Sequence, residues 1–312
     1  MNMLTRVKIC IVGLAIAMSC VNPVDASLIL ALTQGNQLLQ FDSSTPGTTT
    51  APVSVTGLLA GEKLVGIDVR PATNQVYGLG LRTSLGATAG RLYSINFQTG
   101  TATFSSTVTN ITNGDVLAFT GTSFGVDFNP VPDRLRVVSD SGQNLRINVV
   151  NGATNVDGTI AYAAADPNAG TPPMVLASAY TNSVAGAITT TLYNLDAATQ
   201  NLVTQNPPNA GTLNTVGPVN TLFREASFDI DGATNQGFAV LNGNEFSTIN
   251  LTTGLATFVG NVNTPRSIVG ITAVPEPTSM VLLGVVGTLG LAARWRKLRT
   301  RSDRSQQRDA VS

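Results

Sequence analysis

The chain contains no histidine in its 312 residues. The commonest general base and the commonest metal ligand are therefore both missing, which excludes His-based hydrolase triads and His-ligated zinc. Cysteine is almost absent too, since the only two, Cys10 and Cys20, lie near the start. The region after residue 26 thus has no disulfide, no thiolate nucleophile and no iron–sulfur ligand set. Charged residues make up only 12% of the chain, a weakly charged surface suited to life outside the cytosol. No phosphate loop with its lysine and no serine nucleophile elbow occurs. The glycines of "YGLGLRTSLG" from Tyr77 lack the phosphate-loop spacing, so that stretch reads as a long loop.

The length allows one large domain or two small ones, with a core that needs no covalent staples. The formal net charge of zero hides an asymmetry. From Ser27 to Val274 acids outnumber bases, with only Lys63 and eight arginines, whereas seven bases crowd the C-terminus. A mildly acidic body argues against nucleic acid as the partner.

Both ends carry membrane signals. Arg6 and Lys8 precede the apolar stretch Ile9 to Met18, and Val24-Asp25-Ala26 offers small or aliphatic residues at the two positions a signal peptidase inspects. This predicts a secretory signal over 1–26, cut between Ala26 and Ser27; the rival is a lipobox at Ala17-Met18-Ser19-Cys20 with Cys20 acylated. Near the other end, Pro277 to Ala293 is free of charge and is followed by Arg294, Arg296, Lys297, Arg299 and Arg301. That run predicts one short transmembrane helix. Its basic flank should stay in the cytoplasm and leave the body outside. Pro275 and Pro277 hold Glu276 extended and out of the following helix, as a strand that a peptidase cleft can bind.

The order Val274-Pro275-Glu276-Pro277, short apolar span and Arg-rich flank resembles the PEP-CTERM sorting signal of exopolysaccharide-producing Gram-negative bacteria. The resemblance implies recognition by a membrane-embedded exosortase, cleavage near the motif, and delivery of the body to the cell surface or extracellular matrix. The polar tail 302–312 is longer than such signals usually carry. An ordinary C-terminal anchor, with Pro-Glu-Pro as a stiff spacer, is the alternative.

Between the ends the sequence repeats itself. "RLYSINFQTGTATF" from Arg91, "NLRINVVNGATNV" from Asn144, "TLYNLDAATQNLV" from Thr191, "EFSTINLTTGLATF" from Glu245 and "QLLQFDSSTPGTTT" from Gln37 each alternate apolar and polar residues around a polar turn. These read as hairpins. A second hairpin recurs upstream, in "LVGIDVRPATNQVYGLG" from Leu64, "SFGVDFNPVPDRLRVVSD" from Ser123 and "ASFDIDGATNQGFAVLNG" from Ala226, with a degenerate copy in "LASAYTNSVAGAITT" from Leu176. Together they give a four-stranded unit of the length expected for a propeller blade. "SIVGITAV" from Ser267 lacks a successor and "SLILALTQGNQLLQF" from Ser27 lacks a predecessor, so joining them completes a fifth blade.

The expected fold is therefore all-β, a β-propeller of five four-stranded blades over 27–273, closed by both termini. Six blades or a less regular repeat sheet are the alternatives. The sorting signal then occupies 274–301. The motifs "GIDVRP" and "GVDFNP", followed by an "LYSIN"-type strand, resemble the domain-of-unknown-function family 4394, a propeller-like extracellular group that often carries PEP-CTERM tails. That resemblance implies no activity.

Asp68, Asp127 and Asp229 hold matching places in their repeats. A ring of carboxylates near a propeller axis can bind a cation such as Ca²⁺; the alternative is that each caps a turn or bonds neighbouring amides. "DIDGATNQG" from Asp229 lacks the closing Glu of a calcium loop. Arg70, Arg134, Arg136 and Arg224 could line a groove for an acidic sugar, and Tyr77, Tyr93, Tyr162, Tyr180 and Tyr193 either stack on sugars or pack between blades. The reading that follows names no catalytic residue, cofactor or metal, with Ca²⁺ the one cation entertained. It is an exported, non-enzymatic surface or matrix protein, with an exosortase-type protease and exopolysaccharide or envelope proteins as partners. An extracellular propeller enzyme, a lyase, hydrolase or lactonase using carboxylates and a cation, is the alternative.

Overall fold

A computed structural model describes residues 26–82 and 89–275. The expected signal peptide, the transmembrane helix with its basic flank, Glu276, Pro277 and the polar tail lie outside the described residues. Among the described residues no helix is long and apolar enough to cross a membrane.

The described residues form five sheets, antiparallel except for one edge strand in each of two. Blade 1 runs Ile268–Val274, Leu28–Thr33, Gln37–Asp42, Val53–Ser54, so the last strand completes the sheet begun by the first. Val274 stands opposite Leu28 and Ile271 opposite Ala31. Blade 2 is Glu62–Arg70, Gln75–Arg82, Ala89–Asn96, Thr101–Thr107, and blade 5 is Ala226–Ile230, Gly237–Leu241, Glu245–Ile249, Ala256–Asn261. Blade 3 holds Phe124–Asn129, Arg134–Ser139, Asn144–Ile147 and Ala153–Val156; blade 4 holds Val175–Tyr180, Leu192–Asp196, Asn201–Gln205 and Thr212–Pro218. The first strand of each blade packs against the first strands of both neighbouring blades, which closes a ring of five about an axis. The molecule is the five-bladed propeller that the repeats predict, closed by both termini.

Three differences from the sequence reading have physical reasons. Blades 3 and 4 gain a fifth, two-residue strand, Thr109–Asn110 and Ala161–Tyr162, each laid parallel on the outer edge by the incoming connection. Each covers backbone groups that an open edge would expose. In blade 4 the hairpin from Thr191 is present but occupies the second and third places, because residues 181–191 carry no strand and Thr212–Pro218 supplies the fourth. Tyr77–Arg82 of the supposed loop is strand, paired with Ala89–Ser94; residues 83–88 lie outside the described ones.

Turns and packing follow from the same repeats. In blades 2, 3 and 5 an Asn opens the outer turn and a Gly closes it: the N–H groups of Gly100, Gly152 and Gly254 donate to the carbonyls of Asn96, Asn148 and Asn250 at 2.7–2.8 Å. Gly152 has φ +75°, and a Cβ there would lie 1.9 Å from the Thr107 carbonyl of blade 2. The turn therefore needs glycine both for its conformation and for the close approach of the next blade. Apolar clusters fill the gaps between blades. The smallest lies between blades 3 and 4, around Val138, Val175 and Leu213. Beside it the Arg136 guanidinium, only 1% exposed, donates to Asp157 Oδ2 and Asn144 Oδ1, to Asn209 Oδ1 of blade 4, and to Tyr180 Oη. Each of the three nitrogens of that buried cation thus has at least one acceptor, as a buried charge requires.

Candidate functional site on the propeller axis

The five first strands carry a small residue where they crowd the axis: Gly66, Gly125, Ala177, Ser227 and Gly270. Larger side chains do not fit, since a Cβ on Gly66 would lie 2.5 Å from Val126 Cγ2 and one on Gly125 2.5 Å from the Ser178 backbone nitrogen. Two residues on, and so on the same strand face, stand Asp68, Asp127, Ala179, Asp229 and Thr272. The sequence marks the three aspartates as matching positions, and the structure brings them within one site. An oxygen of each lies within 4.8 Å of the others, and all three residues are buried.

Each aspartate clamps its blade to the next. Asp68 Oδ2 accepts from Phe128 N at 2.7 Å, Asp127 Oδ1 from Tyr180 N at 3.1 Å, and Asp229 Oδ2 from Ala273 N at 2.5 Å. Thr272 Oγ1 plays the same part toward Val69 N at 3.3 Å, and donates to Asp68 Oδ1 at 2.9 Å. Only Ala179 of blade 4 has no side chain to do so. The backbone-bonding role considered for these aspartates is therefore real, and it runs between blades rather than capping turns. Thr272 escaped the sequence reading, although aligning "GIT" of the final strand under "GID" and "GVD" would have found it.

Electrostatics make the cluster unusual. Burial, then the neighbouring Asp229 charge, holds the Asp68 carboxyl well above the usual carboxylate range. Burial, then Asp68 and Asp229, does the same to Asp127, and burial raises Asp229. Three buried like charges this close cannot all be ionised without a counter-charge. Arg136, the cross-strand neighbour of Asp127, spends its guanidinium on Asp157 and does not supply one.

On one side of the carboxylates lies an axial cavity of about 10 Å³ lined by Gly66, Gly125, Ser178, Ser227 and Gly270. On the other a recess of about 100 Å³ is lined by Asp229, Asp231, Asn74, Pro71 and Pro275, so the sorting motif begins at the axial mouth. Asp231 of "DIDGATNQG" accepts from Ala233 N and Thr234 N in an ordinary turn. The arginines do not form one groove. Arg70 is ion-paired with Asp133, Arg134 bonds the Pro132 and Asp133 carbonyls, Arg136 is buried and Arg224 is exposed. Tyr93, Tyr162 and Tyr180 are buried and Tyr77 and Tyr193 half-buried, as packing residues should be. A larger pocket, about 400 Å³, opens between blades 3 and 4, lined by Asp140, Ser141, Thr159, Tyr162, Thr171 and Pro172.

A family model described as a domain of unknown function (DUF4394) matches residues 37–272, and the PEP-CTERM protein-sorting motif matches residues 273–297. No curated protein matches the sequence. Among solved structures, a structural genomics protein of unknown function from Bacteroides thetaiotaomicron VPI-5482 is 15% identical over 76% of this chain, with a TM-score of 0.44. The chain spans 58% of that protein's length. A chain of the nidogen/laminin complex is 11% identical (80% of this chain, 99% of that one, TM-score 0.42). A putative 6-phosphogluconolactonase from Bacteroides fragilis NCTC 9343 is 13% identical (80% and 98%, TM-score 0.39).

Proposed function

Because the chain belongs to the DUF4394 family and ends in a PEP-CTERM motif, which implies export and sorting by an exosortase, we propose that its propeller is a non-enzymatic binding or structural module of the cell surface or extracellular matrix. The observation that carries this reading is where the propeller's closing strand stops. The closing strand ends at Val274, opposite Leu28, and the motif starts there, so cleavage beyond it removes nothing the ring needs. The pocket of about 400 Å³ between blades 3 and 4 has the size of a small-ligand site and is the opening through which we expect envelope glycan or protein to be held. Mass spectrometry of the exported protein, with and without Glu276→Ala, tests the reading. A shortened, released species is expected from the parent and a full-length, membrane-retained one from the variant. The same full-length species in both would overturn it.

The enzyme alternative draws support from the convergence of three carboxylates. Against it stands the little room beside them. The axial cavity on one side, about 10 Å³, holds one water-sized occupant, and the recess on the other, about 100 Å³, is lined by only one of the three, Asp229.

A further inference from the structure

Two hydroxyls one layer from the carboxylates along the axis have no hydrogen-bond partner, Ser178 Oγ and Ser227 Oγ, on residues only 1% and 3% exposed. Ser227 precedes Asp229 by two residues and so shares its strand face. Ser178 reaches the same layer from blade 4: a Cβ on Gly125, two residues before Asp127, would lie 2.2 Å from its Oγ. The hydroxyl fills the place of that missing side chain, and both serines line the axial cavity. A buried hydroxyl left unpaired is costly and calls for an occupant.

We propose that Asp68, Asp127 and Asp229 bind one calcium-class divalent cation on the propeller axis, with Ser178 and Ser227, one layer further along the axis, facing a water bound to it. The donor set is all oxygen, as a hard cation prefers. Oxygens held about 2.4 Å from one Ca²⁺ stand no more than about 4.8 Å apart, and the three carboxylates meet that limit. They also keep lone pairs free. Besides the carboxyl–carboxyl hydrogen bond between Asp127 and Asp229, other donors take three of about four sites on Asp68, two on Asp229 and one on Asp127. Those donors are backbone N–H groups and the Thr272 hydroxyl, so among the described bonds no basic side chain neutralises the cluster. The cation would join blades 2, 3 and 5 at the point where they meet, whether or not the sorting motif has been cleaved.

The test uses the full-length protein, stripped with chelator, then titrated with CaCl₂ or MgCl₂, with bound metal read by elemental mass spectrometry and stability by the thermal midpoint. One Ca²⁺ per chain is expected, with a midpoint rise of about 5–10 °C at a hundredfold excess over Kd. Asp127→Asn keeps an acceptor for Tyr180 N and should lose the rise. Ser227→Ala should be at least as stable as the parent without metal, since it removes an unpaired hydroxyl, yet bind Ca²⁺ about tenfold more weakly. If Asp127→Asn does not fold, the parent and Ser227→Ala decide between them. No bound calcium, with midpoints indifferent to CaCl₂ and chelator, would overturn the proposal and leave shared protons as the neutralising charge. A response to MgCl₂ alone would overturn the calcium assignment.

Discussion

The backbone N–H of Ala273 donates to Asp229 Oδ2 at 2.5 Å, and this bond ties the strand from the C-terminal side of the chain to the blade before it. Around the ring the same bond recurs from Asp68 to Phe128 and from Asp127 to Tyr180. A propeller has no central core to bind its blades, so contacts between first strands carry disproportionate weight near the axis. Asp229→Ala would strip Ala273 N and Ile230 N of their side-chain acceptor. We expect a loss of about 2–4 kcal/mol from one buried and one part-buried donor. Asp229→Asn, which keeps an acceptor oxygen, should lose much less. Urea unfolding midpoints at constant slope measure both.

Gly152 offers a second test, because its backbone conformation and its contact can be separated. Gly152 and Gly114 share φ +75°, but a Cβ at 114 meets nothing within 4 Å while one at 152 meets the Thr107 carbonyl. Gly114→Ala should cost about 1 kcal/mol for the left-handed conformation alone. Gly152→Ala should cost at least about 2 kcal/mol more, because blades 2 and 3 must move apart. Equal losses in thermal unfolding would mean that the turn, not the interface, sets the demand for glycine.

These residues also show how much was legible in advance. The hairpins of blades 2, 3 and 5 announce themselves because an alternating strand, an Asn-to-Gly turn and a second strand recur at similar spacing. Blade 4 was harder to place. Residues 181–191 separate its first two strands and Ala179 replaces the aspartate, so the hairpin from Thr191 looked like an outer pair and is a middle one. Two-residue strands such as Thr109–Asn110 are too short to show any period. The repeats marked Asp68, Asp127 and Asp229 as equivalent, but only the ring shows that equivalence about an axis means convergence. Ser178 and Ser227 gave no signal at all, since a serine that lacks a partner reads like any other.

Acid should weaken one inter-blade ion pair in a predictable window. The Arg70 guanidinium of blade 2 bonds Asp133 in the first turn of blade 3 and holds its carboxyl below the usual carboxylate range. A depressed folded-state pKa contributes stability above the unfolded value, near 3.9, and that stability is lost as pH falls through the folded value. Arg70→Gln should therefore destabilise above about pH 4 and converge with the parent toward pH 2. Solvent reaches this pair, with the Asp133 side chain 32% exposed, so the difference should be about 0.5–1 kcal/mol. Taking the difference between parent and variant cancels the titration of the axial carboxylates, which are common to both. A gap that persists unchanged to pH 2 would assign the effect of Arg70 to packing of its stem.

Where the fold ends relative to the sorting motif can be tested by truncation. A chain stopped after Pro275 retains all of Ile268–Val274, its pairing with Leu28–Thr33, and the bonds from Ala273 to Asp229 and from Thr272 to Asp68. It should unfold cooperatively at the parent's midpoint. A chain stopped after Ser267 lacks the first strand of blade 1 and leaves the backbone edge of Leu28–Thr33 unpaired along Ile29, Leu30 and Ala31, residues otherwise fully buried. Opening that edge exposes apolar surface and orphaned N–H groups together, so this shorter chain should aggregate or fail to show a single unfolding transition. Supplying Ile268–Val274 as a separate peptide should restore part of the transition, because the strand adds to a preformed edge by main-chain hydrogen bonds. Should the chain ending at Ser267 instead melt like the parent, closure by both termini would not be what holds the ring, and cleavage close to Val274 would carry no structural constraint on the site of the cut.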